Sequence, residues 1–388
     1  MSEPKIYYLN FASPGWKINP SIPKYIAQRR FYSKEQIFFW EATRCLQPVN
    51  RLGDNNKLPI SYRPIQNYDS SWDRSFFDIA IETAEKLWKL DKPIKVAWSG
   101  GIDSTIVAVA LILTKPTDAD LNFIYSQSSI DEYPLFYEKY IKDYSKPFEK
   151  ENLFDLLNSY PDSIIITGEA GDQTFGSDWI MNMDLSERSQ PWENVLNWDE
   201  ERWNKDRNNK WFRKHGLTEL YWINLSRLGT KVERTETLHT LMRKCPVSNP
   251  VLEDFFWWTV FVNKYDWVNK RFQIQQAQNP DIGEKFKSFF DNPEFEMWSM
   301  DRRVKGLNKS KSKKDYKMAG KEFICNFTKD TDYRDNKVKY ASLVHVMNRD
   351  LQLSTNSLKL VLSDGRFWRD RDSFSEKDTE MLRKLLTP

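Results

Sequence analysis

The stretch Val96-Ala97-Trp98-Ser99-Gly100-Gly101-Ile102-Asp103-Ser104-Thr105-Ile106-Val107-Ala108-Val109-Ala110-Leu111 decides how this chain is read. Ile94 to Trp98 is a short apolar run suited to a buried parallel strand, and Ile106 to Leu113 presents a wholly apolar helical face. Between them, two glycines and two serines occupy a strand-to-helix turn. Gly100 and Gly101 lack the Cβ atoms that would hold a phosphate away, and the N–H groups of the first helical turn point at such a ligand. The helix adds roughly half a positive charge at that end. Ser99 and Ser104 are expected to donate hydroxyl hydrogen bonds to phosphate oxygens. Asp103 would repel a polyanion unless a magnesium ion bridges its carboxylate to the phosphates, which is the usual way Mg²⁺ is held. The lysine of the pattern GxxxxGK[ST] is missing, which weighs against ordinary γ-phosphoryl transfer.

Working outward, Phe76, Phe77, Ala80, Ile81, Ala84, Leu87 and Trp88 recur at helical spacing, which predicts an amphipathic helix from Ser75 to Leu90. Two further strands are expected at Leu121 to Tyr125 and Ser163 to Thr167, separated by helical patterns at Leu135 to Tyr144 and Asn152 to Tyr160. This alternation predicts an α/β fold with a parallel sheet covered by helices. Residues 1–72, rich in scattered prolines and with one helix predicted at Lys34 to Cys45, read as a covering segment of loops. Residues 73–185 form the expected nucleotide-binding core. Residues 186–388 read as mainly helical, with helices at Leu217 to Leu228, Glu233 to Arg243, Val251 to Val262 and Ser375 to Leu386. A hairpin is predicted around Ser363-Asp364-Gly365.

The chain has 388 residues, 58 Lys+Arg against 55 Asp+Glu, and therefore a formal charge of +3, too little for a general nucleic-acid footprint. Cys45, Cys245 and Cys325 are far apart with no CxxC spacing, which argues against disulfide stapling and structural zinc and favours a reducing, cytoplasmic setting. Neither a signal-peptide pattern nor a membrane-spanning apolar run is present in the sequence. The scarce glycines concentrate at 100 and 101 and again at 168, 171 and 176.

SGGIDS resembles the PP-loop of the ATP pyrophosphatases, and within them the synthetase domain of asparagine synthetase and its β-lactam synthetase relatives. Ile166-Thr167-Gly168-Glu169-Ala170-Gly171-Asp172-Gln173-Thr174-Phe175-Gly176 is similar to that family's SGEGSDExFGG loop. Gln173 replaces the second Glu of that loop, and Ser177 stands where a second Gly is usual. The resemblance covers about residues 73 to 180. It implies a PP-loop fold that uses ATP and Mg²⁺, with Asp172 joining Asp103 on the metal and Glu169 handling the proton of an incoming nitrogen nucleophile. It implies adenine recognition by backbone at Val96 to Trp98 and Ile124 to Ser126. It also implies a late lysine for pyrophosphate: Lys337 by its spacing to Tyr340, or Lys339. Gly168 belongs with Ser99, Gly100, Gly101, Ser104, Trp98 and Ser126 in the expected nucleotide site.

These features imply a ligase that adenylates a small-molecule carboxylate and passes it to ammonia or an amine. Ser2 stands where the related glutaminase domain carries its cysteine, and only about 95 residues precede the PP-loop, so glutamine hydrolysis by this chain is not expected, and a separate ammonia donor is an option. A PP-loop enzyme that adenylates a nucleobase in RNA, using the basic stretch Lys305 to Lys321, is a competing reading. A non-catalytic nucleotide-binding protein is another.

Overall fold

The computed structural model describes residues 6–9, 64–144, 162–176, 184–197, 231–263, 265, 285–307, 312, 314–338, 359–362 and 367–369. The helices predicted at 34–45, 152–160, 217–228 and 375–386, together with Ser177, Lys339 and Tyr340, lie outside them.

Strand β1 (Ile6–Leu9) and helix α1 (Phe76–Trp88) come first. Ser75 caps α1 by accepting from the Asp78 N–H at 3.1 Å; Phe76, Ala80 and Ala84 of the predicted face are buried together with Ile79, whereas Phe77, also placed on that face, is exposed. Strand β2 (Ile94–Ala97), helix α2 (Ile102–Leu113), strand β3 (Leu121–Ile124) and helix α3 (Gln127–Glu132) follow. The predicted helix from Leu135 is instead interrupted. Pro134 opens a short turn of helix that continues as a π-helical turn over Tyr137–Ile141. Strand β4 (Ile164–Thr167) leads into the short helix α4 (Gly171–Phe175). Beyond it lie α5 (Lys231–Arg243), α6 (Leu252–Asn263), β5 (Phe286–Ser288), α7 (Pro293–Val304), α8 (Met318–Thr328) and α9 (Thr331–Asn336). The hairpin strands β6 (Lys359–Leu362) and β7 (Phe367–Arg369) come last among the described elements.

The fold is α/β, built on an all-parallel sheet of order β3-β2-β4-β5. Ile94 pairs with Leu121 on one side and Ile164 on the other, and every residue of β2 and β4 is buried. Such strands read as continuous apolar runs because helices cover both faces. The fourth strand comes from residues 286–288, inside the stretch read as mainly helical. Three residues, Phe-Lys-Ser, carry too little pattern to announce a strand.

Helices α1, α2 and α8 pack on one another. Gly320 in α8 permits this, since a Cβ there would meet Ile106 Cδ1 at 2.5 Å and Phe175 Cζ at 3.1 Å. Phe76 lies at the centre of the resulting aromatic core, its ring 5.0 to 6.0 Å from those of Phe175, Phe295, Trp298 and Phe323. A second, three-stranded sheet of order β1-β6-β7 is antiparallel, so the predicted hairpin forms. No strand was expected in the N-terminal segment, but Ile6–Leu9 is one: its partner Lys359–Leu362 lies near the other end of the chain, where local pattern cannot reveal it. Among the described residues no helix is long and apolar enough to cross a membrane.

Candidate active site

The site lies at the carboxyl ends of β2 and β4, where ligands bind in open parallel sheets. After β2 the chain turns through Gly100 at φ +74°, a conformation that favours glycine, and a Cβ there would also lie 2.7 Å from Glu132 Cβ. Gly101 is the N-cap of α2, and its carbonyl accepts from Thr105 Oγ1 at 2.8 Å and Ser104 Oγ at 3.1 Å. Ser99 Oγ lies 3.0 Å from Ser104 Oγ and accepts from the Gly101 N–H at 3.3 Å. The Ser99 N–H donates to Ser104 Oγ at 3.0 Å. The two serines expected on phosphate oxygens thus stand side by side at the turn, bonded to each other and to their own loop.

The second loop is pressed against the first. A Cβ on Gly168 would come 2.8 Å from Asp103 C and Ser104 N, and one on Gly171 would come 2.6 Å from Asp103 Oδ1. Between these glycines Ala170 is buried at φ +64°, a left-handed position unusual for a residue with a side chain. This strained turn starts α4 and brings Asp172, in its first turn, to the same place as Asp103.

Both carboxylates meet one cation. Lys317 Nζ lies 2.7 Å from Asp172 Oδ1 and also pairs with Asp103 Oδ2. The lysine side chain is only 1% exposed, whereas the two carboxylates keep 21% and 28%, so the ammonium is the innermost member. Phe175 and Tyr316 turn ring faces toward it, with centroids at 5.7 and 5.3 Å. The Tyr316 hydroxyl sits between Asp172 Oδ1 at 3.1 Å and the Gly176 carbonyl at 2.5 Å. Lys317 itself stands at φ +60°, held at the entry to α8. The sequence reading treated Lys305 to Lys321 as a basic stretch and did not single out Lys317. The available signal was its place immediately before the apolar pattern Met318, Ala319, Phe323, Ile324.

The donor set suits a divalent cation: two carboxylates from different loops, already sharing one positive charge, and a net charge of minus one with Lys317 counted. Among the described residues, no group of three or more histidine, cysteine, aspartate or glutamate side chains could hold a metal ion.

Lys337, at the C-cap of α9, reaches the Gly100 turn. Its ammonium pairs with the Glu132 carboxylate and donates to the Glu132 carbonyl at 3.2 Å, and Glu132 lies directly against Gly100. Tyr333, stacked on Tyr133 with ring centroids 4.0 Å apart, supports it from below. Burial raises the Tyr333 phenol well above its ordinary range, so it stays neutral. Glu169 is half-buried, its N–H donating to Thr167 Oγ1 at 3.4 Å and its carbonyl accepting from Ser288 Oγ at 2.5 Å. Strand β5 thereby anchors the residue at its backbone.

Trp98 follows β2 directly. Its side chain is 1% exposed, its indole N–H donates to Thr105 Oγ1 at 3.1 Å, its ring stacks on Phe136, and its backbone N–H is taken by the Ile124 carbonyl at 2.9 Å. It locks the end of β2 to α2. Ser126 is occupied likewise: its N–H and hydroxyl both meet Ser129 Oγ at 3.2 Å, at the start of α3.

A scan against protein-family models and searches of curated proteins and of solved structures give no match to this chain.

Proposed function

We propose that the chain is an ATP-dependent ligase that adenylates a substrate carboxylate and transfers it to ammonia or an amine. The observation that carries this reading is the convergence of Asp103 and Asp172, from separate loops, on a single cation beside the Gly100-Gly101 turn. In the reaction a carboxylate oxygen attacks the α-phosphorus, the α–β phosphate bond breaks, and pyrophosphate leaves. The amine then attacks the acyl carbon, AMP departs, and Glu169 accepts the proton lost by nitrogen, a contribution of typically 10² to 10⁴ in rate. Asp103 and Asp172 would hold magnesium, which when bound supplies charge to the phosphate oxygens. The N-terminus of α2 and the ammonium groups of Lys317 and Lys337 stabilise negative charge on the leaving pyrophosphate. The scattered cysteines favour action in the cytoplasm.

The test is exchange of labelled pyrophosphate into ATP with magnesium and pools of small carboxylic acids. Carboxylate-dependent exchange, lost in Asp103→Asn with the fold retained, is the expected result. Exchange only with RNA would transfer the chain to nucleobase adenylation. One observation favours a second reading, nucleotide binding without chemistry: Lys317 already fills the cation position. Bound nucleotide with no exchange under any condition would support it.

A further inference from the structure

Behind the two lysines that face the loops lies a third. Lys321, one turn beyond Lys317 in α8, is 0% exposed. A buried ammonium is costly unless its hydrogen-bonding capacity is used. Its hydrogen-bond partners among the described residues are two main-chain carbonyls, Lys314 O and, at 3.3 Å, Lys337 O. The first belongs to the turn that runs through Tyr316 to Lys317. The second belongs to the residue whose own ammonium meets Glu132 beside Gly100. On the exposed side the same two segments are joined again, Lys314 Nζ donating to Asn336 Oδ1 at 2.8 Å. Lys317 holds a left-handed conformation that needs its surroundings to fix it.

We propose that Lys321 is a positioning residue for the phosphate end of the site: by clamping the carbonyls of Lys314 and Lys337 it sets where the ammonium groups of Lys317 and Lys337 stand across the two loops. The identity of the anion rests on the ligase reading, whereas the clamp is read from the contacts themselves. An ammonium offers three donors and can satisfy two carbonyls that approach from different segments, which a methionine of similar length cannot do. Burial lowers the Lys321 ammonium below its ordinary value of 10.5, with Asp315 and Asp335 opposing the shift and Lys314 adding to it. Those three are the charged groups that face it. Loss of its proton leaves a weaker donor to both carbonyls, so anion affinity should fall along an alkaline limb that begins below the ordinary lysine range.

Calorimetric titration with magnesium pyrophosphate, from neutral pH to about 10.4, on wild type, Lys321→Met and Lys321→Arg tests this, with ATP–pyrophosphate exchange run alongside. Lys321→Met should bind roughly tenfold to a hundredfold more weakly at neutral pH and lose the part of the alkaline limb that begins below the ordinary lysine range. Lys321→Arg should recover affinity to within about threefold and move the limb upward. Wild-type affinity with an unchanged limb in Lys321→Met overturns the proposal. If that variant shows no cooperative melt, Lys321→Arg decides, and a limb that does not move overturns it. Binding without exchange would defeat the ligase reading and leave the clamp standing. If wild type binds no pyrophosphate, amide hydrogen exchange judges the clamp. Lys321→Met must then speed exchange at 314–317 and 336–338 together, and a change in one segment alone, or in neither, overturns it.

Discussion

The loop after β2 closes on itself: Ser99, Gly101, Ser104 and Thr105 exchange hydrogen bonds within a single turn. The segment from 314 to 337 contributes to the same site through contacts that cross the molecule, Lys317 to Asp103 and Asp172, Lys337 to Glu132. The first region needs glycines and hydroxyls at fixed offsets, so its geometry is written locally. The second needs only that α8 and α9 pack where they do; Lys317 and Lys321 look like any other lysines in the sequence, and Lys337 stood out only through the family resemblance. The difference teaches that an anion cradle and the cations that serve it can be specified by different kinds of information.

The comparison can be broken most severely at the contact between the two loops. Gly171→Ala would place a Cβ 2.6 Å from Asp103 Oδ1. Overpacking of this kind costs about 2 kcal/mol, and displacing the carboxylate should lower pyrophosphate exchange roughly 10²-fold. Thermal unfolding and exchange rates check both, and a variant with wild-type activity would show that the loops need not touch.

Lys317→Met attacks the other region. It leaves two carboxylates facing one another without their shared cation and should cost about 2 kcal/mol, less than a fully buried pair because both acids are partly exposed. Magnesium without nucleotide should then raise the variant's melting temperature by several degrees, by about the stabilisation expected of a ligand that binds only the folded state. Wild type should respond much less, since its ammonium already holds the position. An equal response in the two proteins would sink the assignment of Lys317 as the resident cation.

Ala170→Gly is the mildest change. It relieves a left-handed residue, worth about 1 to 2 kcal/mol, and gives back about 0.5 to 1 kcal/mol through the freedom of glycine in the unfolded chain. Stability should therefore hold or rise by up to about 1 kcal/mol with exchange retained. A loss of stability in chemical denaturation would mean that the Ala170 methyl group, buried in the core, matters more than its backbone strain.

Much of the framework was legible. The apolar runs at 94–98, 121–125 and 163–167 became β2, β3 and β4, and Ser75 caps the helix that it was expected to begin. Asp103 and Asp172, chosen from two loops far apart in sequence, do come together. The misses share a cause. Strand β5, the pairing of Ile6–Leu9 with Lys359–Leu362, and the partners of Lys317 depend on segments distant in the chain, Lys321 joins carbonyls of residues 314 and 337 on either side of it, and none leaves a periodic trace.

By itself the sequence determined that two glycine-bearing turns follow parallel strands and that each carries a carboxylate, because strand hydrophobicity and glycine backbone freedom are local properties. Only the tertiary structure decided which cation those carboxylates meet. A lysine side chain is long and chemically anonymous until packing buries it, and the burial of Lys317 between Asp103 and Asp172 comes from the seating of α8 on α1 and α2.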